Sequence, residues 1–277
     1  MEDRARQFFE RGWCAFDHDP VLAAWVEAVR PVAAATLHDP ELRSRWLRCG
    51  GTWFAGVNAL PNDASGAVPN DASGVVPDRH VPPLAGAAVE FIRSVLGLGR
   101  IAWDKAQVSI CFAGYPRPWE GESEAAFRYR RDRDAAHVDG LRRFDPGRRR
   151  KLGETHAFIL GIPLTETRPD AAPFTVYEGS HEVMRRALRA RFEGIAPADW
   201  PDEDITEAYV AARREAFQTC PRVPVHGKPG QAYLAHRLVL HGIAPWGASP
   251  EAGPRMIAYF RPDQAAFEAP DWWLEQP

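Results

Sequence analysis

A histidine and an aspartate stand two positions apart in the segment His137-Val138-Asp139. In a β-strand, side chains two residues apart point to the same face, so the imidazole and the carboxylate are predicted to project side by side. Two such groups can occupy neighbouring positions on one metal ion. An isolated His-x-Asp pair is more often a polar pair on the surface, so the metal interpretation requires a third ligand from elsewhere in the chain.

Three histidines downstream, His226, His236 and His241, are candidates for the third ligand. If residues 231–243 form one strand, His236 and His241 point to opposite faces, so only one of them easily faces the metal. We choose His241 because a glycine follows it and an arginine lies shortly after, and His236 is kept as the alternative. Two histidines and one carboxylate leave the opposite face of the ion open for a co-substrate and dioxygen, which is diagnostic of non-haem Fe(II) oxygenases.

Arg255 begins the run RMIAYFRP, fourteen residues after His241. A turn through residues 244–254 would bring this strand back beside the one that carries His241. A guanidinium placed there can bind the distal carboxylate of a small co-substrate in bidentate fashion. The alternative is an ordinary surface arginine at the end of a strand. Arg261, which lies on the same predicted face, is the second choice.

Short β-prone runs separated by glycine and proline turns occupy the chain from about residue 101 onward. They are QVSICFAGY (107–115), THAFILGIPL (155–164), PFTVYEG (173–179), PRVPVHG (221–227), QAYLAHRLVLHGI (231–243) and RMIAYFRP (255–262). This spacing predicts a mainly β fold with helices (α+β), in which a β-sandwich or jelly roll forms the core.

Helical periodicity precedes the β-prone runs and interrupts them once. The segments 20–37, 41–48 and 84–97 precede the runs, and residues 181–218 form a helical insert. We therefore predict one domain over residues 1–277. Residues 1–100 would form a helical N-terminal layer, and residues 101–277 would form the β-core with its insert.

Composition and charge limit the partners. The 277 residues include 34 Lys and Arg against 37 Asp and Glu, a formal net charge of −3, so no global charge favours nucleic acid or an anionic membrane. The four cysteines form no CxxC pair, which argues against a zinc ribbon and predicts buried free thiols. The charged N-terminus does not resemble a signal peptide, and no stretch reaches the roughly 20 apolar residues of a membrane span, so we expect a cytoplasmic protein.

Four short segments, in order along the chain, resemble the phytanoyl-CoA dioxygenase-like family of Fe(II)/2-oxoglutarate-dependent oxygenases. They are HVDG (137–140), VYEGSHE (176–182), LHG (240–242) and PRMIAYF (254–260). The second segment is similar to the family's Pro-Gly-Ser-His turn, except that Glu178 replaces the proline. The resemblance covers residues 105–262, and the N-terminal hundred residues match only loosely.

The resemblance implies a double-stranded β-helix core, which is a cupin-like jelly roll, with helices packed outside it. It implies that His137, Asp139 and His241 bind Fe(II). It further implies that Arg255 holds the C5 carboxylate of the co-substrate 2-oxoglutarate. The other partners would be dioxygen and a small-molecule substrate.

The same resemblance assigns further roles and a reaction. In such enzymes the strand after His-x-Asp supplies another co-substrate contact, which makes Thr155 or His156 a candidate. His181, in the Gly-Ser-His turn, is expected to be structural. Related halogenases lack the metal-binding carboxylate. Because Asp139 is present, the resemblance favours hydroxylation of an unidentified substrate, with release of succinate and CO2.

The His-Val-Asp motif is flanked on both sides by an arginine-rich stretch, residues 128–151. One interpretation is that these cations recognise an anionic substrate, such as a carboxylate, a phosphate or a thioester carrier. The other is a solvated loop whose charge is partly neutralised by neighbouring Asp and Glu. A separate feature, the hexapeptide PNDASG, occurs at 61–66 and again at 69–74; it consists of turn formers and predicts a surface loop.

Two other classes of function compete with the oxygenase. A cupin-like metal-binding isomerase or a non-catalytic sensor would keep the histidines without needing the arginine clamp. A structural or adaptor protein would carry an incidental His-x-Asp pair, and replacing Asp139 would then leave metal binding unchanged.

Overall fold

The computed structural model describes residues 1–68, 81–144, 149–247, 253–263 and 270–275. The first PNDASG copy, at 61–66, forms a loop with a turn, as the turn-forming residues predict. The second copy, at 69–74, lies outside the described residues.

Seven α-helices occur in these ranges. They are α1 (Glu2–Arg11), α2 (Pro20–Thr36), α3 (Pro40–Trp46), α4 (Ala87–Ser94), α5 (Glu124–Asp132), α6 (Ser180–Phe192) and α7 (Thr206–Thr219). Two short 3-10 helices cover Pro197–Asp202 and Pro270–Trp273.

Twelve β-strands complete the described part of the chain. They are β1 (Trp13–Phe16), β2 (Leu47–Arg48), β3 (Trp53–Phe54), β4 (Gln107–Cys111), β5 (Leu141–Phe144), β6 (Arg149–Leu152), β7 (Phe158–Pro163), β8 (Phe174–Tyr177), β9 (Arg222–Val225), β10 (Ala232–His236), β11 (His241–Ile243) and β12 (Arg255–Phe260).

Two antiparallel sheets face each other and enclose the inner core. Seven strands form the larger sheet in the order β1-β10-β7-β12-β4-β3-β2, and three form the smaller sheet in the order β11-β8-β9. Apolar side chains from both sheets pack between them, where Phe174 of β8 stacks on Tyr233 of β10 with ring centroids 5.0 Å apart. These facing sheets, with helices outside, confirm the predicted fold class: mainly β with a double-stranded β-helix core.

Strand β12 shows how the larger sheet separates two layers. Its side chains alternate, so that Ile257 and Tyr259 face the smaller sheet while Met256 and Phe260 face the helices. On the helical side, Trp25 of α2 packs against Phe260 with ring centroids 5.9 Å apart. The helical layer therefore lies on the face of the sheet opposite to the inner core.

The first hundred residues contribute more than the predicted helical layer. Strands β1, β2 and β3 lie in this part of the chain and join the two edges of the larger sheet. Each has only two to four residues, too few to produce a period-two pattern that distinguishes a strand from a loop. The predicted helical insert contains α6 and α7. The division of the chain into a single domain stays a prediction.

The expectation of one strand over residues 231–243 was wrong. Strand β10 ends at His236 in the larger sheet, and β11 begins at His241 in the smaller sheet. A tight turn joins them, in which the Val239 amide donates to the His236 carbonyl at 2.9 Å. His236 and His241 therefore lie on different sheets rather than on opposite faces of one strand, although the choice between them is unaffected.

No single helix among the described residues is long and apolar enough to cross a membrane. The helices Pro20–Thr36 and Pro40–Trp46 meet the criteria of length and composition only as a pair, with a bend of 81° between them. Helix α2 buries Leu22, Trp25 and Val29 in the core beneath the helical layer.

Candidate metal centre

The side chains of His137, Asp139 and His241 converge on one point. Their ligand atoms all lie within 4.8 Å of one another. Asp139 is central, with Oδ1 3.1 Å from His137 Nε2 and Oδ2 3.6 Å from His241 Nε2. The structure thus brings together the three side chains that the sequence pattern selects.

Backbone pairing places the two histidines side by side. The amide of His137 donates to the His241 carbonyl at 2.8 Å, and the amide of His241 donates to the His137 carbonyl at 3.0 Å. Residues that exchange both hydrogen bonds in an antiparallel pair direct their side chains to the same face. The ring centroids consequently lie only 4.8 Å apart.

Asp139 reaches the site from a turn rather than from a strand. Within the His-Val-Asp segment, only His137 forms a β-bridge. Gly140, directly after Asp139, has a φ of 79°, which lies in the left-handed region. A Cβ at Gly140 would lie 2.2 Å from the Glu154 carbonyl oxygen, so both the backbone conformation and the available space require glycine here. The sequence argument assumed that His137 and Asp139 lie on one strand. In the structure a β-bridge at His137 followed by a turn brings the two side chains together instead.

Both imidazoles are oriented by the same kind of contact. His137 Nδ1 lies 3.0 Å from the Ala135 carbonyl oxygen, and His241 Nδ1 lies 3.0 Å from the Val239 carbonyl oxygen. A carbonyl accepts a hydrogen bond, so each neutral ring carries its proton on Nδ1. The Nε2 lone pairs are then free to face the site, as a metal ligand requires.

Arg261 holds the Asp139 carboxylate from the other side. Its Nη1 donates to Asp139 Oδ2 at 3.2 Å. Burial alone would raise the pKa of Asp139, but Arg261 and His241 outweigh it and hold that pKa well below its usual range. The carboxyl group is therefore ionised, which is the form that binds a metal. Arg261, the second choice for the co-substrate clamp, contacts the metal site instead.

A second carboxyl group supports Arg261. The Arg261 amide donates to Asp104 Oδ1 at 2.8 Å. Burial raises the pKa of Asp104 to about 6, and the hydrogen bond and the charge of Arg261 offset only part of that increase. Sequence inspection does not single out Asp104, because it stands more than thirty residues from the nearest metal-site side chain.

The three side chains line a cavity of about 900 Å³. Aromatic residues form much of its wall, namely Trp46, Trp53, Tyr115, Trp119, Tyr129, Phe174, Tyr209 and Tyr259. Tyr209 belongs to α7, so the helical insert supplies one side of the cavity. A space of this size accommodates small molecules.

Arg255 is buried, and the part of the chain that the structure describes offers it no acidic partner. Its guanidinium donates to the Tyr259 hydroxyl at 3.1 Å and to Cys111 Sγ at 3.6 Å. Among the described residues no carboxylate forms an ion pair with it, although only 4% of its surface is exposed. A buried cation is ordinarily paired, so Arg255 has an unmet requirement for an anion.

Tyr259 lines the cavity and contacts Arg255, which does not itself line it. Its hydroxyl accepts from Arg255 and also from the Tyr233 hydroxyl, at 2.9 Å. Burial raises the pKa of Tyr259, so the hydroxyl keeps its own proton and can donate it to an anion. Sequence analysis missed both tyrosines. Tyr259 could have been found, since it shares the inward face of β12 with Arg255.

The two other predicted co-substrate contacts lie apart from the described cavity wall. The Thr155 hydroxyl donates to Asp263 Oδ1 at 3.1 Å. His156 Nε2 lies 3.1 Å from Glu154 Oε2, and burial lowers the pKa of its imidazole. Neither residue lines the cavity. Their role with the co-substrate stays a prediction.

Three other histidines make their contacts away from the metal centre. His236 Nδ1 accepts from the Leu238 amide at 3.0 Å, and its Nε2 lies 2.9 Å from Arg185 Nη2. His181 Nε2 lies 2.9 Å from the Phe9 carbonyl oxygen, and its structural role stays a prediction. His226 Nε2 lies 2.9 Å from the Thr167 carbonyl oxygen. None of the three joins the group around Asp139.

No family model matches the sequence, and no curated protein matches it either. Solved structures that resemble the chain include the non-haem alpha-ketoglutarate-dependent carbocyclase SnoK from nogalamycin biosynthesis, at 15% identity and a TM-score of 0.48, covering 95% of this chain and 84% of that one. EctD from S. alaskensis, solved with 2-oxoglutarate and 5-hydroxyectoine, matches at 16% identity and a TM-score of 0.45, covering 94% and 74%.

Proposed function

We propose that the protein is an Fe(II)/2-oxoglutarate-dependent oxygenase of the phytanoyl-CoA dioxygenase-like kind, which hydroxylates a small molecule. One observation carries the proposal: two imidazole Nε2 atoms and an ionised carboxylate converge at the wall of a large cavity. Two histidines and one carboxylate on one side of an ion leave its other positions open.

The donor set at His137, Asp139 and His241 fits Fe(II). Imidazole nitrogen and carboxylate oxygen are the ligands that this ion accepts in non-haem oxygenases. The Nδ1 contacts fix the required tautomer on both rings, and Arg261 keeps the carboxylate ionised. Backbone and side-chain contacts thus prepare all three groups for a metal.

The surroundings of Arg255 fit 2-oxoglutarate. The guanidinium has no carboxylate partner among the described residues, and Tyr259 offers a second donor beside it. A dicarboxylate whose far end meets Arg255 and Tyr259 would supply the missing anion. Its keto acid end would be directed towards the metal side chains.

Bound Fe(II) and 2-oxoglutarate supply an oxidation in which decarboxylation of the co-substrate is coupled to attack on a C–H bond. The chain contributes binding and orientation. Arg255 and Tyr259 fix the far carboxylate, and the histidines and Asp139 fix the metal. The aromatic wall excludes water and holds the substrate near the open side of the ion.

The affinity for 2-oxoglutarate tests this proposal against a metal-binding isomerase or sensor. We would titrate 2-oxoglutarate calorimetrically into the Co(II)-loaded protein and into Arg255→Gln. Truncating one partner of a buried charge pair costs about 2–5 kcal/mol, so the affinity should fall at least about 25-fold.

Arg185→Gln is the matched control, because Arg185 is also buried but pairs with Glu182. It should bind 2-oxoglutarate like the parent. Equal affinity in Arg255→Gln and the parent would favour the isomerase or the sensor. Unchanged metal binding in Asp139→Ala would instead favour an adaptor protein with an incidental motif.

A further inference from the structure

The arginine-rich stretch divides into paired and unpaired cations. Arg130 pairs with Glu122 at 2.7 Å, and Arg142 pairs with Glu154 at 2.8 Å. Farther along, Arg149 lies 3.6 Å from Asp204. Arg143 and Arg150 have no such carboxylate among the described residues, and both line the cavity of the metal centre. The stretch is therefore neither uniformly solvated nor uniformly neutralised.

Arg143 and Arg150 lie directly opposite each other in the β5–β6 hairpin. Like charges at directly opposed positions of an antiparallel pair repel and destabilise the hairpin. Among the described residues, the Arg150 guanidinium donates to a neutral group, the Leu141 carbonyl oxygen, at 3.0 Å. Strand register thus concentrates positive charge at this point of the cavity.

Arg213 of α7 adds a third cation to the same wall. Its guanidinium stacks over the rings of Tyr129 and Tyr209, 5.0 and 5.3 Å from their centroids, and has no carboxylate partner among the described residues. Burial lowers the pKa of Arg150; Tyr209 opposes this effect, and the charges of Arg143 and Arg213 reinforce it. Arg150 is therefore close enough to both Arg143 and Arg213 to be affected by their charges.

The hairpin also relates this cluster to the metal centre. The Gly153 amide donates to the Gly140 carbonyl at 2.8 Å, so the base of the hairpin adjoins the turn that carries Asp139. Arg143 stands three residues beyond Gly140, which corresponds to about 10 Å along a strand. A molecule of moderate length can therefore reach from the metal to the arginines.

We propose that Arg143, Arg150 and Arg213 bind an anionic group, a phosphate or a carboxylate, on the substrate that is oxidised in this cavity. This inference rests on the proposed function for the identity of the reaction. An anion bound there would receive charge-assisted hydrogen bonds and would relieve the repulsion between Arg143 and Arg150.

Binding of inorganic pyrophosphate and of citrate to the full chain tests the proposal. Calorimetric titrations would be made without metal and without 2-oxoglutarate, on the parent, Arg143→Gln, Arg150→Gln and Arg213→Gln. Each substitution should weaken binding at least about tenfold, since each removes one charge-assisted contact. Tight binding of pyrophosphate identifies a phosphate group, whereas binding of citrate alone identifies a carboxylate.

Arg142→Gln is the matched control. It removes the same charge from the neighbouring position of β5, where Arg142 pairs with Glu154, and should leave binding unchanged. The proposal is overturned if neither anion binds, if Arg142→Gln weakens binding as much as Arg150→Gln, or if Arg255→Gln alone abolishes it. The parent protein with Fe(II) and 2-oxoglutarate tests the proposed function separately, because the anion titrations use neither.

Discussion

Three side chains contact the Asp139 carboxylate, two of them imidazoles and the third a guanidinium. The two histidines approach through Nε2, and Arg261 donates to Oδ2. Arg261 is the largest of the contributions that lower the pKa of the buried Asp139, followed by His241 and His137. The guanidinium therefore helps to keep the carboxylate ionised.

Arg261→Gln should weaken metal binding about 10–100-fold, the range seen when a group that orients a metal ligand is removed. The Co(II) affinity is measured by calorimetric titration. Arg142→Gln, which breaks an exposed pair elsewhere, is the control and should bind Co(II) like the parent. Equal affinities in all three proteins would show that Arg261 does not position Asp139.

Asp104→Asn should change how stability depends on pH. The pKa of Asp104 is raised from 3.8 to about 6 in the folded protein, so the folded state binds more protons between those values. Stability from this group is present at low pH and is lost as pH rises towards about 6. Asparagine carries no charge, so its stability advantage over the parent should grow from pH 4 to 6 and then level off.

Urea denaturation of the metal-free parent and of Asp104→Asn across pH 4–7 measures this difference. Asparagine keeps an Oδ1 acceptor for the Arg261 amide, so the hydrogen bond is retained. A difference in unfolding free energy that stays constant over this range would contradict the raised pKa.

Single residues show what sequence alone reveals. His137, Asp139, His241 and Arg255 could be selected because their types and spacing form a recognisable pattern. The contact between Arg261 and Asp139 could not, because it joins residues 122 positions apart through the packing of β12 against a turn. The unpaired state of Arg255 likewise depends on which side chains surround it.

At the scale of elements, the metal site depends on two turns rather than on long strands. One turn follows His137 and contains Gly140; the other carries the chain from β10 in the larger sheet to β11 in the smaller one. The β-prone runs predicted the strands but not the change of sheet, because residues 232–242 are buried without interruption and give no sign of where one sheet ends. His236 and His241 are buried alike, so burial cannot separate them either.

Gly140→Ala should damage both the turn and the metal site. The residue has a positive φ, and its new Cβ would meet the Glu154 carbonyl oxygen at 2.2 Å. We expect a loss of at least about 1 kcal/mol of unfolding free energy, together with weaker Co(II) binding. Chemical denaturation and calorimetry measure the two effects.

Gly194→Ala is the control that separates backbone strain from steric crowding of the new Cβ. Gly194 also has a positive φ, but nothing lies within 4 Å of its Cβ position. It should lose stability from backbone strain alone and bind Co(II) like the parent. If Gly140→Ala behaved in the same way, the close approach to Glu154 would not matter for the site.

In the molecule as a whole, the larger sheet separates the helical layer from the cavity that His137, Asp139 and His241 line. Helix α2 packs on one face, where Trp25 is buried and donates to the Gly66 carbonyl at 3.0 Å. The metal centre and its cavity lie on the other face, between the sheets and the helical insert. Changes in the helical layer should therefore affect folding more than metal binding.

Trp25→Phe should lower the free energy of unfolding by about 1–3 kcal/mol, because it removes a buried hydrogen bond and leaves a small cavity. The Co(II) affinity of the folded protein should not change. Val21→Ala, at an exposed position of the same helix, should alter stability by less than about 0.5 kcal/mol. A marked loss of Co(II) affinity in Trp25→Phe would show that the two layers are coupled.

The most direct test of the metal centre is an anaerobic Fe(II) titration in the presence of 2-oxoglutarate, with visible absorbance as the readout. The parent and His236→Ala should both develop a metal-to-ligand charge-transfer band, because His236 lies outside the group around Asp139. His241→Ala should develop none. A full-strength band in His241→Ala, or metal binding without any band in the parent, would contradict the account.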